Sequence, residues 1–219
     1  MDLSKALPKS LPRVLLIPFV IVGLMWSVEV WDWFLSLLFP SQGGVNFLDS
    51  FGIRPRKLTG VPGVILAPFL HRDFAHLSAN TLPLLGLSMI LSLTGMKRFM
   101  SATIIIILAS GLAVWIFGRR EADDGRQLVH LGASGVVFGY LGFLLVIGFI
   151  EKRARWIAVS VVLGFLYSGF MYNMLPSDNG VSWESHLFGF LSGILASYLL
   201  AQRPFEPTVV AVPNRDTSS

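Results

Sequence analysis

Along this chain, long apolar runs alternate with short polar or Gly/Pro-rich breaks. The first run starts at Val14 and passes through a tryptophan-rich end (Trp26, Trp31, Trp33) before stopping ahead of Pro40. Others extend over about Asp73 to Thr94, Phe99 to Phe117, Ser134 to Ile150, Trp156 to Leu175 and Glu184 to Leu200. A membrane-spanning helix needs about 20 mostly apolar residues, so the pattern predicts an all-α, polytopic membrane protein: a compact bundle of six transmembrane helices. The breaks agree with it. Gly95-Met96-Lys97-Arg98 reads as a tight basic turn, Glu151-Lys152-Arg153-Ala154-Arg155 as a charged one, and Pro176-Ser177-Asp178-Asn179-Gly180 as a strong turn signal.

The first run is flanked like a signal sequence but has no small-residue cleavage site, and it reads as an uncleaved first span. Glu29 and Asp32 fall near its far end among the tryptophans, which predicts a solvated helix end at the interface. From Pro40 to Arg72 the chain is rich in Gly and Pro yet apolar in patches, as a loop lying partly in the interface would be. The expected organisation is a short cytoplasmic N-terminus (1–13), one membrane domain (14–200) and a polar, disordered C-terminal tail (201–219).

Composition narrows the function classes. Of 219 residues 53% are hydrophobic and 14% charged, with a mean hydropathy of +0.67, well outside the range of soluble domains. Without cysteine there is no disulfide, thiol nucleophile or thiolate metal site. The net charge of +4 is scattered over loops and forms no stripe, so it points to orientation in the bilayer and not to nucleic acid. Lys97, Arg98, Lys152, Arg153 and Arg155 occupy short connections on the N-terminal side, which places both termini in the cytoplasm.

With spans alternating in direction, the even-numbered helices begin on the opposite side, and the unusual polar residues cluster at those beginnings. The second opens with His76 and Asn80, the fourth with Ser134 and the sixth with His186. His76 and Asn80, at i and i+4, share a helix face. Ser134 lies within Gly132-Ala133-Ser134-Gly135, where a polar loop becomes an apolar helix. Its N–H has no helical partner there, and the dipole favours negative charge beside it, which suits an oxyanion. Gly135 and Gly139 on the fourth helix and Gly189 and Gly193 on the sixth form four-residue ridges that permit close backbone approach. If the ridges meet, Ser134 and His186 come within hydrogen-bonding reach. The alternative is that the glycines serve packing only and the polar side chains bond neighbouring helices.

Three segments carry a family resemblance: Pro68-Phe69-Leu70-His71-Arg72-Asp73-Phe74-Ala75-His76-Leu77-Ser78-Ala79-Asn80, then Gly132-Ala133-Ser134-Gly135, then His186-Leu187-Phe188-Gly189-Phe190-Leu191-Ser192-Gly193. In this order and on these helices they resemble the signatures of the rhomboid family of intramembrane serine proteases, over roughly Pro68 to Leu200. The resemblance implies that Ser134 is the nucleophile and His186 the general base, with His76 and Asn80 donating to the oxyanion beside the Ser134 N–H. It further implies that Phe138 packs against the catalytic imidazole and that His71 is a second, less directly catalytic histidine. Glu184 stands two residues from His186, on another helix face, so the pair is expected to act as a dyad. Two features depart from the family: the first loop has Arg54-Pro55-Arg56-Lys57 where a Trp-Arg pair is frequent, and Pro83 follows Asn80 closely.

Such a protein would be a serine endopeptidase of the bacterial inner membrane, without cofactor or metal. It would cut the transmembrane segment of a single-span substrate near its outer end, inside the lipid bilayer. Other intramembrane protease chemistries lack their motifs, since there is neither His-Glu-x-x-His nor Gly-x-Gly-Asp. A non-cleaving binder of membrane helices would not need Ser134 and His186. A transporter would need polar side chains in the cytoplasmic half of the bundle, yet the fourth helix from Val136 to Ile150 offers only Tyr140.

Overall fold

The structure, a computed structural model, describes residues 11–39, 45–122, 125–176 and 182–201, with side chains from Leu16 onward. The expected N-terminal segment ahead of Leu11 and the C-terminal tail after Ala201 lie outside the described residues. Among those described, the chain is helical, with isolated bridges at Ile53–His130 and Glu121–Gln127 and no β-strand. The helices are α1 (Leu11–Leu38), the single turn α2 (Gly63–Leu66), α3 (Phe74–Ser92), α4 (Met96–Phe117), α5 (Ser134–Ile150), α6 (Ala154–Leu166) and α7 (Trp183–Ala201). The six long helices occupy the six apolar runs. Three are long and apolar enough by themselves to cross a membrane: α1 over Leu16–Leu38, α3 and α4.

The central post is α5, 17 residues and roughly 25 Å long at 1.5 Å per residue. Every residue from Ser134 to Leu144 is buried, which is why this helix is apolar on all sides. Its glycines admit the neighbours. A Cβ on Gly189 of α7 would fall onto the Gly135 carbonyl, one on Gly193 onto the Gly139 carbonyl, and one on Gly142 onto the Phe190 carbonyl. Gly139 has a second neighbour, because its own Cβ would overlap the Ile106 side chain of α4. The two ridges therefore meet, with α5 and α7 in backbone contact. On the other flank, Ser160 of α6 donates to the Leu144 carbonyl at 2.7 Å. At the far end of the bundle Arg98 and Glu151, both nearly buried, pair at 2.6 Å and tie the start of α4 to the end of α5.

The structure corrects two expectations. The fifth span was expected to run to Leu175, but α6 ends at Leu166, and a separate 3-10 turn covers Phe170–Met174. Ser168 and Gly169 interrupt the helix, with the Ser168 hydroxyl bonding back to the Phe165 carbonyl at 2.9 Å, a local bond that competes with helix continuation. Glu29 and Asp32 were expected at a solvated end, yet they are 3% and 2% exposed. The turn Leu48–Phe51 covers them, and Asp32 accepts the Leu48 N–H at 2.7 Å beside the buried Asp49. Trp31 and Trp33 do point outward, at 62% and 52% exposure. One helix end thus presents indoles to the interface and carboxyls to the protein, a distinction that spacing among tryptophans does not reveal.

The first loop is held by α4 and needs no tryptophan of its own. The Trp115 indole donates to the Lys57 carbonyl at 3.0 Å. In return the Arg56 backbone N–H reaches the Trp115 carbonyl at 2.9 Å and its guanidinium the Ile116 carbonyl at 2.7 Å. Gly111 leaves room for Val64 of α2 against α4.

Since the α5–α7 contact leaves no volume at its glycines, Gly193→Ala should lower unfolding stability in detergent by about 1–3 kcal/mol. Gly23→Ala on α1, whose added methyl would meet nothing within 4 Å, should leave stability unchanged or slightly raised. Equal thermal melting of the two variants would contradict the packing argument.

Candidate active site

The approach to Ser134 is a fastened loop. Gly132 has φ +111°, a left-handed conformation that side chains rarely adopt, and its N–H donates to the Ala67 carbonyl at 2.8 Å. Ala133 N–H donates to Nε2 of His71 at 3.2 Å. His71 therefore carries its proton on Nδ1, and its imidazole acts as a prop beneath the residue ahead of the serine. Ser134 then opens α5, itself 8% exposed. Val136 and Val137 N–H both return to the Ala133 carbonyl, whereas a Ser134 N–H in the first position of a helix has no carbonyl one turn back.

Gly132 has a second reason to be glycine. A Cβ there would lie 2.6 Å from Cε1 and 2.9 Å from Nε2 of His76, so the imidazole lies directly over the loop that leads to Ser134. His76 is fixed from below by Asp73, which caps α3 by accepting the His76 N–H at 2.7 Å. That bond, ahead of the nearby Arg72, holds the Asp73 carboxyl below its ordinary range. The His71 and His76 rings meet edge to face at 5.1 Å. Asn80, one turn on and buried, donates one amide hydrogen to the His76 carbonyl at 3.0 Å, which leaves its second hydrogen available. Although Pro83 removes one donor, α3 runs unbroken from Phe74 to Ser92.

His186 sits in the first turns of α7 and is 3% exposed. Its Nδ1 lies 2.8 Å from the Asn173 backbone carbonyl, which can only accept, so Nδ1 carries the proton and Nε2 is bare. Phe138 stacks on the imidazole with centroids 4.4 Å apart and on Phe170 at 4.7 Å. The early end of α6 is what allows this, because the turn Phe170–Met174 brings both Phe170 and the Asn173 carbonyl to the site. His186 Nε2 is buried without a hydrogen-bond partner, so the bond to Ser134 is not formed in this structure. Catalytic hydrogen bonds are commonly loose before substrate binds. The Glu184 carboxylate is taken up by Arg119 at 2.8 Å. Behind the loop lies a cavity of about 30 Å³, whose walls include Ser110, His130, Gly132 and Ser185; this is room for a water or two, at roughly 10–15 Å³ each.

Ser134, His186, His76 and Asn80 thus gather at one end of α3, α5 and α7, with Phe138 and His71 in contact with them. Sequence reasoning missed Asn173 and His130. Asn173 contributes a main-chain carbonyl, which has no side-chain signature. His130, in a polar loop four residues before the serine, had only its proximity to the motif to mark it.

The family model for the Rhomboid domain matches residues 59–203. The chain belongs to the rhomboid family. It is 43% identical over 183 residues to the uncharacterized Mycobacterium tuberculosis protein Rv1337, covering 82% of this chain and 72% of that one. Identity is 24% over 135 residues to YdcA of Bacillus subtilis, named as a candidate rhomboid protease, with 61% and 64% of the two chains covered. RHOMBOID-like protein 5 of Arabidopsis thaliana is 28% identical over 141 residues, 62% of this chain and 43% of that one. As a rhomboid, the protein is an integral membrane protein of a family of intramembrane proteases, whose enzymes act on transmembrane segments within the bilayer.

The buried prop makes a prediction about pH. Burial first, and the neighbouring His76 second, push the His71 pKa down to about 3, from an ordinary value near 6.5. Between those values the unfolded chain binds a proton that the folded one refuses. The His71 contribution to stability is therefore complete above about pH 6.5 and is lost as pH falls toward 3. The fall in melting temperature from pH 7 to pH 4.5 should be smaller in His71→Gln than in the wild type; equal slopes would exclude the effect.

Proposed function

We propose that this rhomboid is an intramembrane serine endopeptidase working through a Ser134–His186 dyad. The observation that carries the reading is the tautomer of His186: with Nδ1–H spent on the Asn173 carbonyl, Nε2 is the acceptor and is left without a partner. That is the atom a general base needs. A main-chain carbonyl and the Phe138 ring take over the orienting role that a carboxylate has in a triad. Glu184, paired with Arg119, is not required for it.

In the reaction His186 Nε2 takes the Ser134 proton as Oγ attacks the scissile carbonyl. The tetrahedral oxyanion is met by the Ser134 N–H, the spare Asn80 amide hydrogen and His76, all held in place before substrate arrives. The imidazolium then returns its proton to the leaving amine, and water, with His186 again as base, releases the acyl group. The substrate is a transmembrane segment of a single-span protein that unwinds near its outer end. The site faces the outer side of a bacterial inner membrane, with both termini cytoplasmic, as the basic short connections favour. A transporter fits less well, because Tyr140 in α5 is already bonded to Thr103 at 2.9 Å. The unformed Ser134–His186 bond is what favours a binder that does not cleave.

A serine-reactive fluorophosphonate separates the readings without a known substrate. The purified wild type should label, while Ser134→Ala and His186→Ala, folded by melting temperature and elution, should not. Absence of labelling in both detergent and liposomes, beside a reactive control protease, would leave the binder. Asn80→Ala should keep the fold and slow peptide turnover by roughly 10²–10³, the usual loss for one oxyanion donor; wild-type turnover would remove Asn80 from that role.

A further inference from the structure

A second histidine–serine contact lies just outside the first. His130 is 3% exposed, and its Nε2–H donates to the Arg119 carbonyl at 2.8 Å. Its Nδ1 is therefore bare and accepts the Ser182 hydroxyl at 2.6 Å. Burial holds the His130 pKa below its ordinary value, which keeps this neutral tautomer in place. Ser182 Oγ in turn accepts from the Ser185 N–H at 3.2 Å and bonds the Ser185 hydroxyl at 2.8 Å, so it caps the first turn of α7. The His130 backbone exchanges both hydrogen bonds with Ile53 at 2.9 Å. One residue thus ties together the first loop, the end of α4, the approach to Ser134 and the start of α7.

The spacing gives this contact a consequence. His130 precedes Ser134 by four residues and Ser182 precedes His186 by four. Between His130 and Ser134 the chain is fixed by the Gly132–Ala67 and Ala133–His71 hydrogen bonds. Between Ser182 and His186 it is the first turn of α7, with the Ser185 carbonyl against Gly135. Each end of the outer contact is therefore joined by a short, bonded segment to one member of the inner pair.

We propose that His130 and Ser182 are positioning residues whose hydrogen bond sets the register of the Ser134–His186 pair. The outer bond fixes how far α7 is advanced along α5, and with it the register from which Nε2 of His186 closes on Ser134 Oγ when substrate binds. This rests on the protease reading and adds two residues to it, neither of which touches the reacting atoms.

The test is the rate constant of fluorophosphonate labelling at saturation, per folded molecule, with the reagent's half-saturation concentration measured alongside. Ser182→Gly removes the hydroxyl but keeps a residue tolerated at the cap, and His130→Leu removes the acceptor. Each should slow labelling at least tenfold at unchanged half-saturation. The double variant should be no slower than either single one. His130→Asn, which returns an acceptor near the Nδ1 position, should recover to within threefold of wild type even if His130→Leu does not fold. Wild-type labelling rates in folded Ser182→Gly, or multiplied losses in the double variant, would overturn the proposal and leave the dyad standing. Labelling absent from wild type, or persisting in Ser134→Ala, would instead overturn the protease reading on which the proposal rests.

Discussion

Two helices of this bundle touch through their backbones, and the site depends on that contact. Lipid tails are as apolar as leucine, so burial of apolar surface does little to bring membrane helices together; close packing must do it. Gly189 against the Gly135 carbonyl and Gly193 against the Gly139 carbonyl give α5 and α7 that approach. Ser134 stands one residue before the first of these contacts on α5, and His186 three before its counterpart on α7. Little slack remains for the two side chains, because so little chain separates them from a contact with no room for added volume.

Around that axis the polar work is done largely by the backbone. The Asn173 carbonyl selects the His186 tautomer, the Ala67 carbonyl holds Gly132, the His76 carbonyl holds Asn80, and the Arg119 carbonyl holds His130. A main-chain carbonyl can orient an imidazole without bringing in a charge, whereas burying a carboxylate is costly. The buried carboxylate nearest His186 in sequence, Glu184, has its own guanidinium partner. The imidazoles at the site are oriented by packing and dipoles: His186 by the Phe138 ring and the Asn173 carbonyl, and His76 by Gly132 and the edge-to-face His71 ring.

The loop between α1 and α3 shows the same economy of charge. Arg56 reaches the end of α4 through the Ile116 carbonyl, and the Trp115 indole at the same end donates to the Lys57 carbonyl. It also closes over Glu29, Asp32 and Asp49, so the carboxyls at the end of α1 face protein while the neighbouring indoles face outward. The resulting scaffold holds Ala67 and His71, and through them the approach to Ser134.

Much of this was legible in the chain itself. Run lengths and breaks determined the number and order of the long helices, because the thickness of a bilayer leaves few ways to place apolar runs of that size. Glycine spacing marked the faces of α5 and α7 that meet, because only residues without a side chain permit that distance. What the tertiary structure alone decided were the contacts that follow from where segments distant in sequence end up. The end of α6 at Leu166 was hidden, since the residues up to Leu175 remain apolar whether they are helix or turn. The burial of Glu29 and Asp32 depended on where a loop folds, and the alternation of tryptophan and acid along α1 says nothing about that. Asn173 acts through a carbonyl that every residue possesses, and His130 through a neighbour 52 positions away. Side-chain chemistry and hydrophobic length are written locally and can be read from the sequence; which backbone group meets which imidazole is a property of the packed helices.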